Sequence, residues 1–188
     1  SEYSRNGQSC SLVRYLEIPD GESVVRICKD SEGTVWTLTE HAIYRDTGKL
    51  TDSPGYCFFE GRDGLYFGSS AGKLLKYDGS ALDTIDTGIP GRVELLAEIP
   101  GRHEFLTGSA GNLVCWDAGD GSVSAVKCDS WTNGRLQLQT DDFGNIWIYS
   151  DRGSLNWYDK DKMELLPFYN GSLQREWNAE TYVNTVFA

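Results

Sequence analysis

The sequence predicts an all-β fold built from repeated antiparallel sheets, and two observations support this prediction. First, one residue pattern recurs along the chain with a period of about 40 residues, a spacing typical of repeat architectures. Second, short runs rich in β-branched and aromatic residues alternate with turns that contain Asp and Gly, as strands and their connections do. No segment of the 188 residues has a convincing helical pattern.

Three copies of the repeat align along the chain. They are offset by 39 residues, from Tyr66 to Phe105, and by 42 residues, from Phe105 to Trp147. Each copy has an aromatic residue, a glycine, a leucine, a second aromatic residue and an aspartate. In chain order these residues are Tyr66, Gly72, Leu74, Tyr77 and Asp78; Phe105, Gly111, Leu113, Trp116 and Asp117; and Trp147, Gly153, Leu155, Tyr158 and Asp159. A shorter copy begins at Glu32.

Each copy reads as four antiparallel strands. In the last copy, the runs RLQLQTDD, NIWIYSD and SLNWYDK are joined through DDFGN and DRG, tight-turn sequences in which glycine accepts a positive φ. A four-stranded meander of this length is the size of one β-propeller blade, so the predicted fold is a β-propeller of about four to five blades. The predicted blades span approximately 23–50, 54–88, 92–129 and 134–169, with partial strands at 11–18 and 181–188.

The two ends of the chain both resemble parts of a blade. Val183 and Val186 match Val24 and Ile27 in the first strand of the first blade. Either the end strands pair to help close a small ring, or the chain is a fragment of a larger propeller. We favour the fragment, because four blades are at the low end of the propeller range. An open array of four blades would also have edge strands that something must cover, as the rest of a larger propeller would.

The repeated residues are expected to serve the architecture. Blades pack face to face, so the aromatic residues of the second strands, Trp36, Tyr66, Phe105 and Trp147, are predicted to fill the space between blades. The repeated glycines are predicted to satisfy turns. The repeated aspartates follow the third strand, where a carboxylate commonly caps the amides of a turn.

The charge of the chain limits its partners. Lys and Arg number 17 against 28 Asp and Glu, which gives a net charge of −11. Nucleic acids and anionic membranes are bound mainly by basic patches, so neither is an expected partner. No apolar run approaches the roughly 20 residues that cross a bilayer, so no direct membrane contact is expected in this segment. Neutral ligands, cationic ligands and other proteins remain open.

The cysteines and histidines give no sign of a metal or cofactor. The five cysteines lack CxxC spacing, and only two histidines are present, which argues against a transition-metal site. Cys115 and Cys128 could form a disulfide across a hairpin that turns at DAGDG, although buried free thiols are the commoner outcome. No phosphate-binding glycine loop is recognisable, so no cofactor is expected.

The sequence leaves one enzyme alternative open. The pair Asp141-Asp142 is more simply a solvated turn than a calcium or acid–base site. The enzyme alternative is a glycoside-processing propeller, which needs two or three carboxylates that converge at one end of the axis. The candidate acids on one rim are Glu22, Glu40, Asp52 and Asp151.

A ligand would bind where loops from several blades converge. The turns between second and third strands share one rim with the connections between blades. The variable side chains on that rim combine aromatic, Arg and acidic groups, which suit a sugar or an acidic oligosaccharide. The predicted ligand-binding residues are Glu40, His41, Tyr56, Arg92, Trp131, Arg135, Asp151 and Arg152.

The last copy also carries a family motif. It resembles the D-x-x-G-x-[IL]-W-[IV]-G-T-x-x-G-[LI]-x-x-[YF]-D repeat of two-component regulator propellers, which form sensor domains of membrane-spanning histidine kinases, including hybrid kinases of gut Bacteroidetes. The matching residues are Asp141, Gly144, Ile146, Trp147, Gly153, Leu155, Tyr158 and Asp159. The shorter copy matches at Asp30, Gly33, Val35 and Trp36.

The resemblance implies a periplasmic or extracellular input domain in a longer receptor chain. Such domains sense a small molecule or an oligosaccharide, often a carbohydrate breakdown product, and shift a dimer whose cytoplasmic half phosphorylates a response regulator. Any kinase activity would belong to a part outside these residues. Three interpretations follow: a non-catalytic sensor, which we favour, a protein–protein interaction scaffold, and a glycoside-processing enzyme.

Overall fold

The structure is a computed structural model of the chain. The described residues are 2–6 and 9–14 (backbone only), 18–109, 111–128, 136–150 and 155–168. Every regular element among them is a strand. The chain divides into two compact units, Ser1–Tyr56 and Cys57–Ala188, called unit one and unit two below.

Unit one contains a hairpin and one four-stranded antiparallel sheet. The hairpin consists of β1 (Glu2–Asn6) and β2 (Ser9–Arg14). Sheet I consists, in spatial order, of β3 (Val24–Lys29), β4 (Val35–Thr39), β5 (Ile43–Arg45) and β6 (Gly48–Thr51). The sequence VWTLT of β4 is rich in β-branched residues, and all five of its residues are buried.

Unit two contains three further sheets. Sheet II consists of β7 (Cys57–Gly61), β8 (Gly64–Gly68), β9 (Lys73–Tyr77) and β10 (Leu82–Asp86). Sheet III consists of β11 (Leu95–Glu98), β12 (Glu104–Ser109), β13 (Asn112–Asp117) and β14 (Val123–Ala125). Sheet IV consists of β16 (Leu136–Thr140), β17 (Ile146–Ser150), β18 (Leu155–Asp159) and β19 (Glu164–Pro167), with β15 (Lys127–Cys128) on its outer edge.

Sheet III is buried on both faces. Because successive side chains of a strand point to opposite faces, neighbouring residues of β12 enter two different cores. Leu106 packs toward sheet IV, in a cluster with Ile148 and Leu165. Phe105 packs toward sheet II, in a cluster with Tyr66, and their ring centroids lie 4.9 Å apart. Three sheets therefore stack face to face in unit two.

The repeated aromatic position is core in three of its four copies. Trp36, Tyr66 and Phe105 are each 1% exposed or less, which confirms their predicted core role. Trp147 differs, because it is only half-buried and packs edge-on against Phe168 with ring centroids 5.3 Å apart. The same sequence position therefore has two structural environments.

A short strand passes from sheet III to sheet IV. After β14, the residues of β15 pair in parallel with β19. Lys127 N donates to Met163 O at 2.9 Å, and Lys127 Nζ lies 2.8 Å from Glu164 Oε1. The third blade was predicted to end at residue 129, whereas β15 lies on the outer edge of sheet IV. Neither strand propensity nor spacing distinguishes these two positions.

This crossing decides the state of two cysteines. Cys115 lies opposite Ser124 in sheet III, so the hairpin does not bring Cys128 next to it. Both residues are thiols, and the disulfide alternative for Cys115 and Cys128 is wrong for this structure. Cys115 Sγ lies 3.5 Å from Glu104 Oε2, and burial raises the pKa of the Cys115 thiol to about 12.

The predicted fold class, an all-β protein with propeller-type four-stranded antiparallel sheets, is confirmed. One difference is local to the start of the chain. A single partial strand was expected at 11–18, whereas β1 and β2 form a hairpin there. Asn6-Gly7 is a hairpin-type turn sequence, so a local signal for this pairing was present. The partial strand expected at 181–188 lies outside the described residues.

Candidate functional site

The motif aspartates that precede the second strands are held by tryptophan. Asp30 Oδ2 accepts a hydrogen bond from Trp36 Nε1 at 2.9 Å, and Asp141 Oδ2 accepts one from Trp147 Nε1 at 2.9 Å. The other oxygen of Asp141 accepts from the backbone amides of Phe143 and Asn145 at 3.0 and 2.8 Å. In the second copy a tyrosine takes the place of the indole, because Tyr66 Oη donates to Asp63 Oδ1 at 2.9 Å.

These contacts give Asp141 a structural role. The hydrogen bond from Trp147 is the main cause that lowers the pKa of Asp141 to about 2. Its carboxylate is thus ionised and occupied by donors of its own turn, which agrees with the interpretation of Asp141-Asp142 as a solvated turn. Among the described residues, no three His, Cys, Asp or Glu side chains cluster as metal ligands would.

The repeated aspartates after the third strands cap turns, as predicted. Asp78 Oδ1 accepts from the amides of Ser80 and Ala81, both at 2.8 Å. Asp117 Oδ1 accepts from Gly119 N at 2.6 Å. Asp159 Oδ1 accepts from Asp161 N at 3.0 Å. A carboxylate used in this way in three successive copies stabilises the fold and is not available as a shared catalytic site.

Half of the predicted ligand-binding residues lie outside the described part of the chain. These residues are Trp131, Arg135, Asp151 and Arg152. Of the others, Glu40 and His41 are exposed in the turn between β4 and β5 of unit one. Tyr56 is half-buried at the end of unit one, and Arg92 is exposed in the connection between β10 and β11 of unit two.

The structure does bring His41 into a polar cluster that sequence spacing does not reveal. His41 Nδ1 lies 3.4 Å from Glu22 Oε2, and the Tyr44 hydroxyl donates to Glu22 Oε1 at 3.4 Å. The His41 side chain is 70% exposed, whereas the Glu22 side chain is 15% exposed. Lys49 and Asp52 form an ion pair of 2.7 Å at the edge of the same sheet. We call these five residues the Glu22 cluster.

The electrostatics of the Glu22 cluster favour an ionised carboxylate. A hydrogen bond with Thr39 is the main cause that lowers the pKa of Glu22, with a smaller contribution from His41. Desolvation raises the pKa of Tyr44, and the charge of Glu22 raises it further, so the phenol stays protonated as a donor. The hydrogen bond to Asp52 raises the pKa of Lys49, which stays a cation. The cluster therefore offers both donors and acceptors.

Unit two has a pocket that the sequence did not indicate. It has a volume of about 240 Å³ and lies where the turn after β11 meets the first and third turns of sheet IV. Its walls include Ile99, Pro100, Phe143, Asn145, Trp157 and Asp161. We call it the rim pocket. In an antiparallel meander, the first and third turns lie at the opposite strand ends from the connections between sheets. The rim pocket is thus at the other end of the strands from Arg92.

Two contacts define the shape of the rim pocket. A Cβ atom on Gly144, which has a φ of +81°, would lie 3.2 Å from the Cβ and Cγ atoms of Pro100, so the two turns approach closely because Gly144 has no side chain. Arg102 then bridges the sheets. Its Nη1 donates to Lys160 O at 3.2 Å, and its Nη2 lies 3.2 Å from Asp161 Oδ1.

Together, the four-stranded sheets and their accessible turns define an all-β, propeller-like protein. Across the described residues, no helix has the length and hydropathy needed to cross a membrane. No model of a protein family matches the sequence, and no curated protein matches it.

Solved structures with a similar fold include extracellular domains of two-component systems. One is the extracellular domain of a protein described as the hybrid two-component system BT4673 from B. thetaiotaomicron, with a TM-score of 0.64 and 15% identity over 84% of this chain and 23% of that chain. A second is the corresponding domain of BT3049 from the same organism, with a TM-score of 0.58 and 17% identity over the same shares. The Mitotic Checkpoint Complex contains another similar chain, with a TM-score of 0.52, 14% identity, and coverage of 86% and 68%.

These similarities concern the fold. They confirm, at that level, the resemblance to sensor propellers of hybrid kinases, and the extracellular position of the two bacterial domains agrees with the predicted periplasmic or extracellular location. This chain spans about a quarter of the length of those two chains, 23% in each case.

Proposed function

We propose that this chain is a ligand-sensing, non-catalytic part of the extracytoplasmic input domain of a two-component receptor. The observation that supports the proposal is the fold that it shares, over 84% of its length, with extracellular domains of two hybrid two-component systems. We also propose that this part belongs to a longer receptor chain with a membrane-spanning segment and a kinase core, and that the receptor is a homodimer.

The proposed ligand is a carbohydrate. The Glu22 cluster presents a carboxylate, a phenol, an imidazole and an ammonium group on one sheet, and sugar hydroxyl groups need such a mixture of acceptors and donors. Glu40, next to His41, is exposed at the same turn. The four predicted residues outside the described part, together with Tyr56 and Arg92, remain proposed ligand contacts.

The lowered pKa of Glu22 does not suit a general acid of glycoside cleavage. A general acid for glycoside cleavage needs a raised pKa so that it holds a proton near neutral pH. The hydrogen bond with Thr39 has the opposite effect on Glu22. An ionised carboxylate of this kind is suited to accept hydrogen bonds from a sugar.

The ligand proposal is tested by calorimetric titration of the purified chain with neutral and acidic oligosaccharides, after a thermal-shift screen. We expect Glu22→Gln to weaken binding by roughly 10- to 100-fold, because hydrogen bonds to a charged group are the stronger ones. Asp86→Asn is the matched control, since Asp86 is an exposed, ion-paired carboxylate in unit two. Equal affinities for both variants, or no saccharide binding at all, would contradict the proposal.

The receptor proposal is tested on the full reading frame. It should encode a transmembrane helix and a histidine-kinase core after the propeller, and a saccharide that binds the chain should change autophosphorylation of the full-length protein. A frame that ends just past Ala188 would exclude a sensor kinase, whatever the ligand result.

The interaction-scaffold alternative has one observation in its favour. Val24 and Ile27 of β3 are 47% and 52% exposed, which is high for large apolar residues of a strand. If these residues bind a second protein chain, the double variant Val24→Ser/Ile27→Ser should lose that association in light-scattering measurements while saccharide binding is unchanged.

A further inference from the structure

The rim pocket of unit two has features of a second binding site. It is formed by turns of two different sheets, and the Arg102 bridge holds those turns together. None of its wall residues belongs to the predicted ligand-binding set. A pocket between packed elements, with a few polar groups at its edge, is a common location for small-ligand binding.

Its aromatic wall is unusually accessible. Phe143 is 92% exposed, the highest exposure among the large apolar residues whose side chains the structure describes. Trp157 is half-buried in the same pocket. The indole nitrogens of Trp36 and Trp147 both donate to aspartates, whereas Trp157 Nε1 has no acceptor among the described residues. Phe143 and Trp157 therefore offer aromatic faces and one available donor to a ligand.

The charges around the rim pocket favour a cation. The charged residues that line it are Asp159, Asp161 and Lys160, which leaves a net charge of −1. Two further cations, Arg102 and Lys162, are paired with carboxylates of this region. Arg102 contacts Asp161 and Glu104, and Lys162 Nζ lies 2.9 Å from Asp159 Oδ2.

We propose that the rim pocket binds an organic cation, an alkylammonium or guanidinium group, against the faces of Phe143 and Trp157 and near the carboxylate of Asp161. Cations are attracted to the faces of aromatic rings, and the two carboxylates of the wall, Asp159 and Asp161, add to this attraction. The same chemistry is available in a free amine and in a Lys or Arg side chain of a peptide. This proposal does not depend on the saccharide proposed above, which concerns unit one.

Two variants and one control test whether the rim pocket binds a cation. Phe143→Ala should weaken cation binding roughly two- to five-fold, the value of one exposed cation–π contact. Lys160→Ala removes a like charge from the pocket wall and should strengthen cation binding by a similar factor. Phe168→Ala is the matched control, because Phe168 is an exposed aromatic of the same region that does not line the pocket.

The probe is the side-chain indole N–H signal of Trp157 in ¹⁵N-labelled chain, assigned by its loss in Trp157→Phe. The chain is titrated at constant ionic strength with n-butylammonium, with an acetyl-Gly-Lys-Gly amide peptide, and with butyrate and glucose as anionic and neutral controls. Unchanged signals from the other five of the 6 tryptophans show that each variant is folded.

We expect a saturable shift with butylammonium or the peptide, and none with butyrate or glucose. A peptide that binds at least as tightly as butylammonium would identify a protein side chain as the source of the cation; binding of butylammonium alone would identify a free amine. The proposal is overturned if no cation gives a saturable shift, if butyrate or glucose gives an equal one, or if Lys160→Ala weakens cation binding. It is also overturned if Phe143→Ala and Phe168→Ala have the same effect.

Discussion

Two glycines at the same position of the repeat should respond differently to the same substitution. Gly72 and Gly111 follow the second strands of sheets II and III, and both have a positive φ, +69° and +82°. Their surroundings differ. A Cβ atom on Gly72 would lie 2.1 Å from Ile89 O, whereas a Cβ atom on Gly111 would meet nothing within 4 Å. Gly72→Ala and Gly111→Ala therefore share the backbone cost and differ in steric cost.

The structure allows an estimate of both costs. The left-handed backbone costs an alanine about 1–2 kcal/mol at either position. At Gly72 the new Cβ and Ile89 O must separate from 2.1 Å to at least the 3.4 Å of ordinary contact. That movement strains two hydrogen bonds, from Gly72 N to Gly91 O at 2.6 Å and from Thr87 N to Gly72 O at 2.9 Å. Overpacking of this kind adds about 1–3 kcal/mol.

The assay is urea unfolding followed by tryptophan fluorescence. We expect the midpoint of Gly72→Ala to lie below that of Gly111→Ala by on the order of 1 M urea, at an unchanged m-value. Circular dichroism should follow the same transition, which checks that unfolding is two-state.

Equal midpoints for the two variants would refute the reasoning. In that case the connection between β10 and β11, which contains Ile89 and Gly91, would be able to move away from the turn at little cost. A lower midpoint for Gly111→Ala than for Gly72→Ala would show that the close approach of Ile89 O to Gly72 is incorrect.

Shortening an aromatic side chain should also have different effects in the core and in the pocket. Phe105→Ala should lower the free energy of unfolding by about 3–5 kcal/mol. Phe143→Ala, at an exposed position, should change it by no more than about 0.5 kcal/mol in the same urea assay. Acid should destabilise the chain partly through Asp141. Its pKa is lowered from an ordinary 3.8 to about 2, so its stabilising contribution is present above about pH 4 and is lost as the pH falls toward 2; thermal unfolding of Asp141→Asn should depend less on pH in that window. Burial raises the pKa of Cys115 to about 12 and that of Cys28 to about 11, so both thiols should resist iodoacetamide at pH 8 until urea is added. Peptide mass spectrometry measures the labelling, and rapid labelling of native Cys115 would contradict its burial.

Much of the fold could be predicted from local sequence. The spacing of six residues between Asp30 and Trp36, and between Asp141 and Trp147, is the length of a tight turn that lets a carboxylate reach an indole N–H on the next strand. Alternation of side chains also explains the two buried faces of sheet III. Phe105 and Leu106 are neighbours in sequence and enter different cores because a strand has a period of two.

The candidate sites could be predicted only in part. His41 was expected at a ligand-facing turn and Glu22 was a candidate acid of the same rim, but their contact and that with Tyr44 join residues 19 to 22 positions apart. The rim pocket was missed. One signal was present, a phenylalanine in the polar turn sequence DDFGN, but its partner Trp157 lies on another strand and Pro100 on another sheet.

The sequence by itself therefore determined the class of fold, the four-stranded repeat, and the turn-capping role of the repeated Asp residues, because strand periodicity and turn chemistry act over a few neighbouring residues. The tertiary structure alone decided which sheet receives β15, that Cys115 faces Ser124, and where Pro100, Phe143 and Trp157 form a pocket. These features depend on how one sheet packs on the next, and packing joins residues far apart in the chain, whose pairing no local pattern specifies.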